Sequence, residues 1–146
     1  MKLTRSSDIR IVKNISKSDN LYYPLNYEKW VEYITNHPDT FVWHEDTAQG
    51  KKTLRTIVEF PVEFRERVLI SLNKLRCFMD YSSKKKYYNI NVSYNSLNNW
   101  ITVGFERKPK KEDLRVFLAM ANYLEAYLVL GGKKIIDEKV LAVLED

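Results

Sequence analysis

The sequence predicts an α+β fold, a two-layer sandwich in which two long helices lie on one face of a four-stranded sheet. Two pairs of β-branched and aromatic segments each precede apolar residues at helical spacing, which predicts two strand–strand–helix units. The 146-residue length, with 45% hydrophobic and 29% charged residues, suits one globular domain. We expect a weakly ordered lead-in over residues 1–20 and a single domain over residues 21–146.

The N-terminal region offers one short helix. Within the lead-in, only IRIV at residues 9–12 could pair as a strand. Asn26 is a suitable N-cap, and the helix should end before Pro38. The apolar side chains of this helix recur at i, i+3, i+4 and i+7: Tyr27, Trp30, Val31 and Ile34.

The first strand–strand–helix unit follows this helix. Residues 40–46 and 53–60 are rich in β-branched and aromatic side chains around a short polar turn, which predicts an antiparallel hairpin closed by Pro61. A helix of about five turns is expected next. Its apolar residues recur at steps of three or four: Phe64, Val68, Leu72, Leu75 and Met79.

The second unit repeats this order after roughly 45 residues, so we interpret the two units as a structural duplication with Phe60 matching Phe105. Residues 88–94 alternate apolar and polar side chains, and a return strand at residues 100–106 follows a turn. A second long helix should end at Gly131 and Gly132, with a short closing helix capped by Asp137. The apolar stripe of the long helix is Leu114, Phe117, Leu118, Ala121, Leu124 and Leu128.

Chain direction in this architecture brings the loops between the elements to one end of the sheet and forms a basic rim there. The other sheet face should be partly open and should carry Trp100 beside small polar residues, as binding surfaces often do. The other residues expected on this face are Asn89, Asn91, Ser93 and Thr102, with Arg55, Ile57 and Glu59 from the first unit. An anion-binding edge and a solubilising edge are both consistent with such lysines. The cations of the basic rim are Lys51, Lys52, Lys84, Lys85, Lys86, Arg107, Lys108, Lys110 and Lys111.

Sequence signatures of catalysis and metal binding do not occur in this chain. No phosphate-binding glycine loop or hydrolase motif is present, and Cys77 is the only cysteine, which excludes an internal disulfide. His44, Glu45 and Asp46 are adjacent, but alternate side chains of a strand point to opposite faces, so they predict an acidic spot on the rim. We therefore expect no catalytic residue, no metal and no cofactor.

The predicted element order resembles that of bacterial secretion-chaperone-like proteins, and small immunity proteins that cap a toxin are similar in size. This resemblance implies a non-catalytic, protein-binding module with a protein partner. The alternative is a nucleic-acid-binding module in which the basic rim contacts phosphates and Trp100 or Tyr87 stacks a base. A reducing cytoplasm and no membrane are expected. A homodimer is compatible with the sequence, which leaves the oligomeric state open.

Overall fold

A seven-stranded antiparallel sheet dominates the described part of the chain. The computed structural model describes residues 2–15 and 21–144. The strands are β1 Ile9–Val12, β2 Val42–Trp43, β3 Arg76–Ser82, β4 Tyr87–Asn95, β5 Trp100–Phe105, β6 Tyr127–Leu130 and β7 Lys134–Ile135. Their order across the sheet is β2-β3-β4-β5-β1-β6-β7. The helices are α1 Tyr27–Thr35, α2 Ala48–Arg55, α3 Val62–Ser71, α4 Lys111–Tyr123 and α5 Glu138–Val143, with 3-10 turns at His44–Asp46 and Ile57–Glu59.

The central position of β1 is the least expected feature of the sheet. Ile9–Val12, which we expected in a weakly ordered lead-in, pairs with β5 on one side and β6 on the other. Ile9 and Ile11 are fully buried on the face that the helices cover, and Val12 is fully buried on the opposite face. Residues 16–20 of the predicted lead-in lie outside the described residues.

The hydrophobic core lies between one face of the sheet and the helices α1, α4 and α5. Alternate residues of β4 and β5 point into it, including Ile90 and Val92 from β4. Trp30 of α1 and Phe117 of α4 are fully buried against them. Residues 48–72 contribute no side chain to this core cluster. The mixed α+β class predicted from the sequence is therefore confirmed, with the core on one side of the sheet.

The short helices were predicted correctly. The side chain of Asn26 accepts a hydrogen bond from the Lys29 N–H at 3.0 Å, and α1 ends at Thr35, before Pro38. Asp137 caps α5 in the same manner through the Val140 N–H at 3.0 Å. In both cases a short polar side chain satisfies a donor that the first helical turn leaves free.

The predicted first hairpin is wrong. Residues 48–55 form α2, because the Thr47 hydroxyl accepts from the Gly50 N–H at 3.0 Å and the following residues favour helix. Residues 57–59 form a 3-10 turn, so Phe60 does not occupy a strand position equivalent to that of Phe105. The duplication into two strand–strand–helix units is therefore wrong as well, and the sheet has seven strands in the described ranges instead of four.

Both long helices were predicted too long. The helix α3 ends at Ser71, Lys74 takes a positive φ of 55°, and the segment with Met79 becomes β3, paired with β4. Similarly, α4 ends at Tyr123, Glu125 takes a φ of 52°, and Leu128 lies on β6. Long-range pairing satisfies the backbone groups of these segments, and it overrides their helical spacing.

The opposite face of the sheet is partly open, as predicted. Asn89, Asn91, Ser93, Trp100 and Thr102 occupy the alternate positions that point away from the core, and all are half-buried. The side chains of Arg55, Ile57 and Glu59, which we placed on this face, belong instead to α2 and the turn after it. Within the described ranges, no helix combines the length and the apolar character that crossing a membrane requires.

Candidate functional site

Most of the basic rim converges on one end of the sheet. Lys84, Lys85 and Lys86 lie in the β3–β4 turn. The antiparallel register sets Ile90 of β4 opposite Phe105, which lies two residues before the start of the basic segment 107–111. A salt bridge of 2.8 Å between Arg107 and Asp80 of β3 connects these segments. Lys51 and Lys52 are exposed on α2, so they do not occupy the predicted hairpin turn.

Arg107 holds protein carboxylates, which leaves its guanidinium little capacity for an external anion. Its Nη1 and Nη2 donate to Asp113 at 2.7 and 3.1 Å, and its Nε donates to Asp80 at 2.9 Å. Asp113 also accepts from the Lys110 N–H at 2.8 Å and so caps the first turn of α4. The arrangement fastens the start of α4 to the sheet, which is a structural role.

Trp100 is also engaged within the chain. Its ring packs edge-on against Tyr22 with centroids 5.3 Å apart, and the Arg10 guanidinium lies 4.1 Å from its ring centre. Arg10 in turn forms a salt bridge of 2.7 Å with Asp8. One face of Trp100 is therefore covered by a cation, and stacking of a base on this ring would have to displace Arg10.

The acidic spot at residues 44–46 is a 3-10 turn, so its side chains do not alternate as in a strand. Glu45 accepts a hydrogen bond from the Lys74 N–H at 2.6 Å, which connects this turn to the segment just before β3. The His44 ring packs against Phe78. Burial and, secondly, the Arg76 charge lower the pKa of His44 despite the opposing effect of Glu45. Across the described residues, no group of three metal-binding side chains is present.

Cys77 is fully buried on the core face of β3. Burial, together with the negative charge of Glu45, raises the pKa of its thiol, so the uncharged form persists at neutral pH. Because the thiolate is the reactive form of cysteine, Cys77 serves as a packing residue.

A cavity of about 460 Å³ lies beside the turn at residues 44–46, between the start of α2 and the strands β3 and β4. We call it the tyrosine cavity. One side is formed by Thr47, Ala48 and Gln49 at the start of α2. The remaining lining residues are His44, Phe78, Tyr81, Lys86, Tyr87 and Tyr88. Phe78, the three tyrosines and Lys86 come from β3, β4 and the turn between them. The sequence pattern had placed Phe78 in a long helix and Tyr88 in a separate strand.

A second exposed feature is the α2–α3 arm, residues 48–71. The helix α3 has no buried residue, and several of its apolar side chains face solvent, among them Val62 at 72% and Ile70 at 53% relative exposure. On the other side of α3, Phe60, Phe64 and Val68 line a shallow groove with Arg67 and Ser71. The arm thus presents apolar side chains on two sides of a helix.

The sequence held signals for both features. Val62, Leu69 and Ile70 fall off the apolar stripe predicted for the long helix, which is a sign of a helix with a second apolar face. Three tyrosines flank the lysines of the segment at residues 81–88.

No protein-family model, no curated protein and no solved structure matches this chain. The geometry of the described residues is therefore the basis for any functional assignment.

Proposed function

We propose that this chain is a non-catalytic protein-binding module and that the α2–α3 arm is its docking surface. The observation that carries the proposal is the apolar surface of α3, whose residues all lie outside the core. Exposed apolar groups concentrated on one element favour a partner, because covering them removes unfavourable contact with water.

The partner expected is a protein with an apolar groove bordered by acidic side chains. The adjoining helix α2 carries three exposed cations, Lys51, Lys52 and Arg55, and no acidic residue. These charges would accelerate association with an acidic rim, while the apolar side chains of α3 would supply most of the affinity. Lys51 and Lys52 keep the binding role predicted from the sequence, on a helix instead of a turn.

The resemblance to secretion-chaperone-like proteins loses its basis, since the element order on which it depended is wrong. The resemblance to immunity proteins was one of size alone. The broader proposal of protein binding does not depend on that order. It depends on the exposure of residues 62–70. The helix that carries these residues was predicted to face the sheet, but the observed fold leaves several of its apolar side chains in solvent.

The test begins with capture of partners from the native host by the immobilised full chain, followed by titration of each purified partner in a calorimeter. Phe64→Asp and Ile70→Asp separate the two sides of α3. Leu97→Asp is the matched control, because Leu97 is 93% exposed in the β4–β5 turn. We expect one of the two arm variants to weaken binding at least about tenfold and the control to leave it unchanged.

A partner that binds both arm variants as tightly as the wild type overturns the docking surface. A second copy of this chain is the other molecule that could cover the arm. Light scattering after size-exclusion chromatography measures whether the chain is a monomer or a dimer. If the wild type is a dimer and Ile70→Asp or Phe64→Asp is a monomer, the arm is a self-association surface and the acidic partner is excluded.

A further inference from the structure

The tyrosine cavity is distinct from the exposed apolar surface of α3, and its own chemistry indicates a different ligand. Its volume of about 460 Å³ falls in the range of sites that take a small molecule or one unit of a polymer. The apolar groove of the arm is lined by none of the residues that line this cavity. Ala48 and Gln49 at the start of the arm also line the cavity, so a function of the cavity is tested by replacing Lys86 and the tyrosines, which lie outside the arm.

The aromatic side of the cavity is a connected set of rings. His44 packs edge-on against Phe78 at 5.3 Å, and Phe78 stacks with Tyr88 at 5.4 Å between centroids. Tyr81 meets Tyr88 edge-on at 4.9 Å and is itself 54% exposed. Tyr87 is 38% exposed. Rings that are held by neighbouring rings and still accessible can stack a planar aromatic ligand with little loss of side-chain entropy.

The charge of the cavity is positive. Lys86 is the one charged residue among its lining residues, which include no carboxylate. Lys84 and Lys85 belong to the same turn, and the Lys85 ammonium lies 5.7 Å from the Tyr87 ring centre. Burial keeps His44 in its neutral form near pH 7, so the anion-attracting charge comes from the lysines. The side-chain amide of Gln49 adds a donor and an acceptor.

We infer that the tyrosine cavity binds one nucleotide of a single-stranded nucleic acid, with the base stacked among the tyrosines and its phosphate at Lys86. The lysines outside the cavity favour a single-stranded nucleic acid over a free nucleotide, because Lys84 and Lys85 would contact the phosphates that flank the bound nucleotide. Sequence-tolerant recognition is expected, since stacking uses the face that every base has.

The experiment is a fluorescence-anisotropy titration of a labelled ten-nucleotide oligothymidylate with the full chain at several salt concentrations. Tyr87→Ala should weaken binding by roughly 5- to 150-fold, and Tyr87→Phe should stay within about twofold of the wild type because it retains the ring. Circular dichroism and urea unfolding establish that each variant is folded. If Tyr87→Ala unfolds, Tyr81→Ala replaces it.

The role of lysine is tested by Lys86→Asn, since Lys86 has a φ of 60° and asparagine tolerates this backbone conformation. Its affinity should fall, and the slope of log K against log salt should decrease by about 0.7 for one lost contact with a single strand. Lys139→Asn, at an exposed position of α5, is the charge-matched control.

Four results would overturn the proposal. The first is no saturable binding at low salt, and the second is a Tyr87→Ala variant that binds like the wild type. The third is an equal loss for Lys139→Asn and Lys86→Asn, which would mean general attraction of a polyanion. The fourth is displacement of the oligonucleotide by thymidine monophosphate with equal affinity, which would make the cavity a free-nucleotide site and contradict single-strand binding.

Discussion

The Arg107 guanidinium and the Asp113 carboxylate form a paired contact, with Nη1 to Oδ2 at 2.7 Å and Nη2 to Oδ1 at 3.1 Å. Asp113 is buried, and Arg107 also reaches Asp80 on β3. One side chain thus joins the end of β5, the start of α4 and the neighbouring hairpin. Arg107, the one arginine of the predicted basic rim, is therefore held by carboxylates of its own chain.

Replacing Arg107 with Met should destabilise the protein by about 2 kcal/mol. This lies between the ~0–1 kcal/mol of exposed ion pairs and the ~3–5 kcal/mol lost when one partner of a buried pair is removed. The measurement is urea unfolding followed by circular dichroism. Arg107→Lys keeps the charge but loses the paired geometry, so it should recover only part of the loss. A loss below about 0.5 kcal/mol for Arg107→Met would show that the contact is a surface pair.

The pH dependence of stability should report on Asp80. Burial by itself would raise the pKa of this carboxyl, but hydrogen bonds from Arg107 and Asn89 with the nearby charges bring it below the usual 3.8. A lowered folded-state pKa gives stability that is present above the unfolded pKa and is lost as the pH falls through the folded value. The advantage of the wild type over Asp80→Asn should therefore persist at pH 6 and shrink below pH about 4.

Asn is the appropriate replacement at this position, because Asp80 has a φ of 61°. Unfolding free energies of both proteins between about pH 2.5 and 7 provide the measurement. An advantage that does not change over this range would contradict the assigned ion pair.

Replacing Gly50 with Ala should destabilise the protein although Gly50 lies inside a helix. Alanine would improve helix propensity by about 1 kcal/mol. However, its Cβ would overlap the backbone carbonyl of His44 and lie 2.9 Å from the Cα of Glu45. Overpacking against backbone atoms typically costs ~1–3 kcal/mol, so the net change should be a loss. The Gly50→Ala variant should show a lower melting temperature.

The matched control is Gly104→Ala. Its Cβ would meet only the end of the Asn91 side chain, at 2.7 Å, which can rotate away. We expect a smaller loss of stability than for Gly50→Ala. A Gly50→Ala variant more stable than the wild type would contradict the close approach of α2 to the turn at residues 44–46.

Replacing Trp100 with Ala should reduce stability by about 2 kcal/mol, less than the ~3–5 kcal/mol of a fully buried aromatic residue. The ring packs with Tyr22 and Arg10, and it borders the small cluster with Val12 and Val129 on the open face of the sheet. Trp100→Phe retains most of these contacts and should cost less. If Trp100→Ala unfolds in urea like the wild type, the contacts of Trp100 with Tyr22 and Arg10 do not stabilise the fold, and the ring is available to bind a ligand.

The helix α1 and the β4–β5 hairpin show what local patterns can predict. Asn26 and the spacing of the apolar residues after it define α1 within nine residues of chain, and strict alternation defines β4. Both signals come from interactions between residues close in sequence. The partly open face with Asn89, Asn91 and Trp100 follows from the same alternation.

The segments at residues 40–60 and 72–82 show where such patterns fail. The β-branched residues Thr53, Thr56 and Val58 favoured the prediction of a strand, whereas in the structure Thr47 caps a helix that runs to Arg55. Leu75 and Met79 continued a helical spacing, yet β4 was available as a partner, and strand pairing prevailed. The cavity was missed for this reason, since it needs α2 next to β3, although Lys86 and Tyr87 were named as binding residues from the sequence.

Local sequence patterns predicted the α+β class, the two short capped helices and the β4–β5 hairpin, and they contain no recognisable catalytic motif. The position of β1 between β5 and β6, the seven-strand order and the exposure of α3 arise from contacts between distant segments. Such contacts also hold Arg107 and Trp100 within the chain and place Lys86 beside a cavity. Caps and periodicity act over a few residues, whereas strand order and exposure depend on which distant segments satisfy one another's backbone groups and apolar surfaces.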